Sequence, residues 1–92
     1  MGRVKQHAWN TRVEQVHAML NATFVDDLGV DESNGGRLPI YIGPPHAQTD
    51  CEIEILVKYY PSGGREAIVF HAMRLGPEFR RYREENPDGL RG

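Results

Sequence analysis

The stretch CEIEILVKYYPSGGREAIVFHAM, residues 51–73, contains two strand patterns separated by a turn signal. In CEIEILVKYY, apolar side chains alternate with polar ones, which is typical of a half-buried strand. PSGGR is rich in residues that favour turns. EAIVFHAM is apolar at nearly every position, as expected of a strand that packs against the rest of the protein on one face and has its other face available for function. The stretch therefore predicts an antiparallel hairpin formed by residues 51–60 and 66–73.

Upstream of this hairpin, the sequence predicts one helix and one further strand. Thr11 and Glu14 have the spacing of a capping box, and apolar residues follow at helical spacing, so we expect a helix over about residues 11–22. RLPIYIG, residues 37–43, alternates like a short strand, and its proline indicates a sheet edge or the start of the strand. Between these two elements, the acidic and glycine-bearing residues 25–36 predict a loop.

Downstream of the hairpin, the sequence predicts a basic helix. Gly76 and Pro77 interrupt the strand pattern, and Pro77 suits the first turn of the helix PEFRRYREE. The predicted fold is a small α+β domain, with an antiparallel sheet of three or four strands, an N-terminal helix and a C-terminal helix, both helices packing on one side of the sheet. We expect a single domain over residues 1–92, with an ordered core over about 5–86 and a tail over 87–92.

Composition excludes several classes of protein. With 26% charged and 39% hydrophobic residues the chain is typical of soluble domains, and no apolar run is long enough to cross a membrane. MGRVKQHAWN lacks the apolar stretch of a secretory signal, so we expect a cytoplasmic protein. Cys51 alternates with apolar strand residues and is interpreted as a packed residue. The histidines lack the spacing of metal ligands and no phosphate-binding motif occurs, so neither a metal nor a cofactor is predicted.

Charge is distributed unevenly along the chain, although the formal net charge is only -2. Residues 26–54 hold seven acids against one basic residue, whereas residues 74–83 hold four arginines against one glutamate, a local charge of +3. This basic segment follows His71, a side chain that exchanges protons near neutral pH. The arginines either form a surface for nucleic acid or are the solvated face of an ordinary helix.

Cleavage of RNA without a metal needs three kinds of group, and the segment after residue 70 contains all of them. A base removes the 2′-hydroxyl proton, an acid protonates the leaving 5′-oxygen, and cations surround the phosphate. His71 is interpreted as base or acid, and Tyr82 or Glu78 as the second proton carrier. The predicted catalytic residues are His71, Arg74, Glu78, Arg81 and Tyr82, and Arg80 and Arg83 are predicted to bind RNA. A hydrogen-bonded core histidine at position 71 is the alternative.

Four stretches of the chain resemble the BrnT-like toxins of type II toxin–antitoxin systems, small ribonucleases related to the RelE fold. KQHAWNTRVEQV is similar to the family's Lys-His-Gly-like stretch and first helix, and GGRLPIYIG to its strand that begins with Gly-Arg. IVFHAMR and EFRRYREE are similar to its last strand and its Arg- and Glu-rich helix. Where the family has Ser-Ala-Arg, this chain has His71, Ala72 and Met73, and its arginine follows one residue later, at Arg74.

The resemblance implies a RelE-like fold and a toxin that cleaves mRNA, alone or at the ribosome. It adds His7 and Arg37 to the residues expected to bind RNA, because they align with the family's histidine and arginine. It also implies a protein partner, a small DNA-binding antitoxin. A non-catalytic module that binds RNA or protein through the same face is the alternative function.

Overall fold

The computed structural model of the chain describes residues 11–31, 35–60 and 67–88. These residues form a four-stranded antiparallel sheet with one helix before it and one after it. The elements, in chain order, are α1 (Arg12–Leu20), β1 (Phe24–Asp31), β2 (Gly36–Gly43), β3 (Ile53–Lys58), β4 (Ile68–Arg74) and α2 (Pro77–Glu85). Neighbouring strands in the sheet are also neighbours in the chain, so the sheet is a meander. The predicted α+β class and the antiparallel pairing of β3 with β4 are confirmed.

The predicted loop over residues 25–36 is wrong, because most of this segment is strand β1. β1 forms one edge of the sheet and pairs with β2. Its register shifts between Asp27 and Val30, and Gly29 lies between them with a φ of 120°. Such an irregularity interrupts the alternation of side chains, which explains why the sequence lacks a strand pattern here.

The prediction that Pro39 marks a sheet edge or a strand start is also wrong. β2 is an inner strand, and Pro39 is its fourth residue. Pro39 lies opposite Asp27, where the β1–β2 register shifts, and just before the β2–β3 ladder begins with Ile40 opposite Leu56. A residue without an N–H group is tolerated at such an interruption of the ladder.

Helix α1 begins with the predicted capping box. The Glu14 N–H donates to Thr11 Oγ1 at 3.2 Å, and the Thr11 N–H donates to Glu14 Oε1 at 3.4 Å. The helix then passes so close to β2 that a Cβ at Gly43 would overlap the carbonyl oxygen of Ala18. Gly43 therefore allows α1 to bury Ala18 against the sheet.

The two helices pack on opposite faces of the sheet, so the prediction that both lie on one side is wrong. Residues of α1 pack with Ile53, Ile55 and Val57 of β3 and with Tyr41 of β2. Residues of α2 pack instead with the other parity of β2, Ile40 and Ile42, and with Phe24 and Leu75. Because successive strand residues point to opposite faces, these two clusters form two separate core layers.

Helix α2 covers only part of its face of the sheet. Its partners lie mainly on β1 and β2 and include Leu56 of β3, whereas three large apolar side chains of β4 are exposed: Ile68 by 54%, Phe70 by 52% and Met73 by 43%. β4 is the second edge of the sheet. Among the described residues, the part of this face nearest β4 is therefore open, and this region, called the open half of the sheet below, holds the candidate site.

Candidate functional site

A groove of about 440 Å³ opens between the first turn of α2 and the open half of the sheet. This groove, named the His71 groove below, is lined by Glu54, Leu56, His71, Met73, Gly76, Pro77, Glu78 and Phe79. Leu56, Met73 and Phe79 make much of its wall apolar. His71 thus lies in a concave surface open to solvent.

Glu54 and His71 form the central polar contact of this groove. Nε2 of His71 lies 2.8 Å from Oε2 of Glu54. Glu54 is buried, with 4% of its surface exposed, and its other oxygen, Oε1, accepts the backbone N–H of Gly76 at 2.9 Å. A buried carboxylate requires hydrogen-bond donors, and here both of its oxygens have one. Glu54 therefore holds the imidazole with one oxygen and the start of α2 with the other.

This contact determines which nitrogen of His71 can exchange a proton. A carboxylate only accepts hydrogen bonds, so Nε2 carries the hydrogen that it donates to Glu54. In the neutral ring the lone pair is then on Nδ1, which has no hydrogen-bond partner among the described residues. The His71 side chain is 35% exposed. A histidine that is oriented by a carboxylate and has a free second nitrogen is the arrangement a general base requires.

A second groove, of about 260 Å³, lies on the other side of the connection between β4 and α2. This arginine groove is lined by Asp50, Cys51, Glu52, Arg74, Leu75, Arg80 and Arg83. Arg83 Nη1 donates to Glu52 Oε1 at 3.0 Å, and Arg74 Nη2 donates to Cys51 Sγ at 3.5 Å. Arg80 is exposed and has no acidic partner among the described residues. The groove combines cations suited to phosphate with two acids that partly offset them.

Helix geometry divides the arginines of α2 between its two flanks. Successive residues are rotated by about 100° around a helix, so Arg80 and Arg83 share the flank of the arginine groove. Glu78 lines the His71 groove, and Arg81, three residues later, lies on the same flank of α2 but does not itself line the groove. Arg81 is exposed, and no described acid pairs with it. The arginines therefore do not project together on one face, and Arg81 is the one on the same side as His71.

Tyr82, a predicted proton carrier, is part of the packing between α2 and the sheet. Its hydroxyl donates to Oδ2 of Asp26 at 2.6 Å, and its ring packs edge-on against Phe24 and Phe79. The hydrogen bond to Asp26, together with burial and the nearby negative charge, raises the pKa of Tyr82 to about 12. The hydroxyl keeps its proton at neutral pH, and Tyr82 does not line the His71 groove.

Arg37, predicted to bind RNA, is paired with an acid on the neighbouring strand. Its Nε and Nη2 lie 2.7 Å and 2.6 Å from Oδ2 of Asp27. The main cause of a lowered pKa of Asp27 is the N–H of Gly29, which donates to Oδ1 at 2.9 Å; burial opposes the shift, and Arg37 adds to it. The charge of Arg37 is thus largely matched. His7 lies outside the described residues, and its role stays a prediction.

Glu54 is the candidate that the sequence pattern did not reveal. The alternation of residues 51–59 placed it with Glu52 and Lys58 on a polar face, which is normally solvated. The register of the hairpin offers the missing signal: Leu56 is opposite His71, so Glu54 is a diagonal neighbour of the histidine across the two strands. A glutamate at that position can reach the histidine, but its burial depends on α2, which the local pattern does not describe.

The fold and the two grooves define a small α+β protein with a half-open sheet and a carboxylate-oriented histidine. Within residues 11–31, 35–60 and 67–88, no group of three His, Cys, Asp or Glu could hold a metal ion, and no helix is long and apolar enough to cross a membrane. Comparison with protein-family models, curated proteins and solved structures finds no match to the chain. The relationship to BrnT-like toxins therefore stays a prediction.

Proposed function

We propose that this chain is a metal-independent endoribonuclease of the toxin type, which cleaves mRNA in the cytoplasm. The observation that carries the proposal is the pair formed by Glu54 and His71 in an open groove. Burial of Glu54 and its contact with Gly76 fix the carboxylate, and the carboxylate fixes the histidine. A structural histidine would not need an exposed edge and a free second nitrogen, whereas a base needs both.

The proposed reaction uses the neutral His71 ring as the base. Nδ1 takes the proton of a ribose 2′-hydroxyl, the 2′-oxygen attacks the adjacent phosphorus, and the bond from phosphorus to the 5′-oxygen breaks. The products are a 2′,3′-cyclic phosphate and a 5′-hydroxyl. The departing 5′-oxygen takes its proton from a water molecule in the groove, and Glu78, which lines the same groove, would orient that water by accepting a hydrogen bond from it. Arg81, on that flank of α2, would stabilise the charge that develops on the phosphate.

The arrangement of the two grooves supports binding of a chain with several phosphates. Arg74 and Leu75 line the arginine groove, and Gly76 and Pro77 line the His71 groove, so a strand that crosses this connection contacts both. The exposed Arg80 would then bind a phosphate next to the one that reacts. Arginine presents several donors in a plane and matches the geometry of phosphate oxygens.

The test is cleavage of a defined single-stranded RNA by the purified chain, with chelator present and with analysis of the product ends. We expect 2′,3′-cyclic phosphate ends, no cleavage by His71→Ala, and unchanged cleavage by the matched control His46→Ala, which changes an exposed histidine in the loop after β2. Arg81→Ala should lower the rate roughly a hundredfold, the effect of losing about 3 kcal/mol of transition-state stabilisation. Equal rates for His71→Ala and His46→Ala would contradict the proposal.

A second candidate function, a protein-binding module that uses a different face from the one predicted from the sequence, is supported by exposed apolar residues on α1. Val13, Val16 and Leu20 are exposed by 77%, 43% and 79%, and their spacing of three and four residues forms one stripe on the helix. α1 thus turns an apolar stripe to solvent, which is typical of a surface that binds another helix. The stripe lies on the face of the sheet opposite to both grooves.

Co-expression with the product of the adjacent reading frame separates the two functions. If the chain cleaves no RNA but forms a complex that Leu20→Asp abolishes, the binding module is the better account. If it cleaves RNA and the complex suppresses cleavage, the endoribonuclease proposal stands and the partner is an antitoxin. Thr11→Ser, a change at the cap of the same helix that keeps the capping oxygen, is the control for helix stability.

A further inference from the structure

Strand β4 contains a bulge at Phe70, next to His71. Leu56 pairs with His71, but the following residue of β3, Val57, pairs with Val69, so Phe70 has no partner across the ladder. A bulge bends the strand and redirects a side chain, and bulges are frequent beside active sites. Phe70 is 52% exposed. The bulge therefore presents an aromatic ring at the surface, one residue from the proposed base.

The position of this ring is supported by a cation on the neighbouring strand. The Lys58 ammonium nitrogen lies 5.7 Å from the centroid of the Phe70 ring, within the range of a cation–π contact. The ring stays half exposed despite this contact. An exposed aromatic ring is the group on which nucleic-acid-binding proteins stack an unpaired base.

The charge near the Phe70 ring favours a nucleic acid over an apolar protein segment as the ligand of this surface. Residues 74–83, which begin with the last residue of β4, carry a local charge of +3, and the exposed Arg81 shares a flank of α2 with Glu78, which lines the His71 groove. A polyanion with flat apolar bases complements both the cations of α2 and the aromatic ring of β4. In a duplex the bases are already paired and stacked, so only an unpaired strand offers a base to the ring.

We propose that Phe70 is a stacking platform for an unpaired base beside the phosphate at His71, and hence that the substrate class is single-stranded RNA. The inference rests on the proposed function, because it assumes that the His71 groove binds RNA. Stacking involves no hydrogen bonds to base edges, so the platform selects single strands over duplexes and tolerates many sequences.

Binding of a 2′-O-methyl oligonucleotide tests the platform without cleavage, because the methyl group blocks the attacking hydroxyl. We expect the single strand to bind, the same strand annealed to its complement to bind much more weakly, and Phe70→Ala to weaken single-strand binding about tenfold or more. Phe70→Trp should keep the affinity and Phe70→Leu should not, since leucine fills space without a stacking face. Ile68→Ala is the matched control, because Ile68 is on the same strand and equally exposed.

A set of single strands, each with an abasic nucleotide at a different position, tests the stacking directly. The affinities of wild type and Phe70→Ala for these strands give a readout that a purely structural role of Phe70 would not change. At one position, the loss of the base should remove the difference in affinity between the wild type and Phe70→Ala. The platform would be overturned, and the endoribonuclease proposal would stand, if the wild-type chain cleaves RNA but Phe70→Ala and Ile68→Ala bind the single strand equally well. The same conclusion would follow if the cleaving wild-type chain binds single strand and duplex equally well. A wild-type chain that neither binds nor cleaves RNA would overturn both.

Discussion

Replacing Glu54 by glutamine tests how the buried carboxylate controls His71. The side chain keeps its shape, but it now has one accepting oxygen and one donating nitrogen. Gly76 can only donate, so the amide oxygen must face its N–H, and the amide nitrogen then faces His71. His71 Nε2 must become an acceptor, and the hydrogen of the neutral ring moves to Nδ1. The substitution therefore removes the lone pair that the proposed base requires while leaving the groove in place.

The structure allows both effects of Glu54→Gln to be estimated. A hydrogen bond to a charged group contributes about 1.5–3 kcal/mol, and only the contact with His71 changes its donor and acceptor, so we expect a loss of about 2 kcal/mol in the free energy of unfolding. Catalysis should fall much further, by about 10²–10⁴-fold, because the wrong tautomer cannot take the proton. The Glu54→Gln variant is thus expected to stay folded while it loses most of its catalytic rate.

Three measurements check this prediction. Nitrogen NMR of the imidazole reports the tautomer, urea unfolding reports stability, and single-turnover cleavage reports the chemical step. Glu84→Gln is the control, because it makes the same charge change at an exposed position near the end of α2. If Glu54→Gln cleaves RNA at the wild-type rate, or if its His71 keeps the hydrogen on Nε2, then the proposed role of the carboxylate is wrong.

Three further predictions concern stability and binding. Gly43→Ala should lower the free energy of unfolding by about 1–3 kcal/mol, because its Cβ would overlap the Ala18 carbonyl, whereas Gly76→Ser, with neighbours at 3.7 Å and a new capping hydroxyl, should be neutral or stabilising in the same thermal assay. Tyr82→Phe should lower the free energy of unfolding by about 1–2 kcal/mol at pH 7, because Asp26 loses a hydrogen-bond donor. Because folding raises the pKa of Tyr82 from 10.0 to about 12, the tyrosine stabilises the fold below pH 10 and loses this effect as it ionises between pH 10 and about 12. The phenylalanine variant should not show this loss of stability. The affinity for single-stranded RNA should fall steeply between low and physiological salt, and a flat profile would contradict binding through the arginines.

The parts of the fold that the sequence predicts well are those governed by neighbouring residues. The α1 cap, the antiparallel pairing of β3 with β4 and the start of α2 at Pro77 all follow from local signals, and the structure contains each of them, while the predicted turn PSGGR lies outside the described residues. β1 was missed because the glycine and acids around its bulge resemble a loop when the partner strand is not considered. The face on which each helix packs is a tertiary property, and the apolar residues on both parities of β2 were the available clue.

The candidate site shows the same division between local and distant effects. His71 could be selected from the sequence, because a titratable residue interrupts an apolar strand. The separation of Arg80 from Arg81 could also have been predicted, since adjacent helical residues are about 100° apart. The structural role of Tyr82 could not, because its hydroxyl meets Asp26, 56 residues earlier in the chain. Contacts of that kind depend on how α2 docks on the sheet.

The path of the chain after β4 accounts for both the buried carboxylate and the open half of the sheet. The chain leaves the edge strand, and Leu75 turns into the core layer formed with Phe24 and Ile40, so α2 settles over β1 and β2. The connection therefore passes over β3, where the Gly76 N–H needs an acceptor and finds Glu54. Among the described residues, the same path leaves the α2 side of β4 uncovered, with Phe70 52% exposed and the side chain of His71, which contacts that carboxylate, 35% exposed. Because one connection produces both features, a change that shifts Gly76 should disturb the histidine, the groove and the start of α2 together, whereas changes at the far end of α2 should leave the histidine in place.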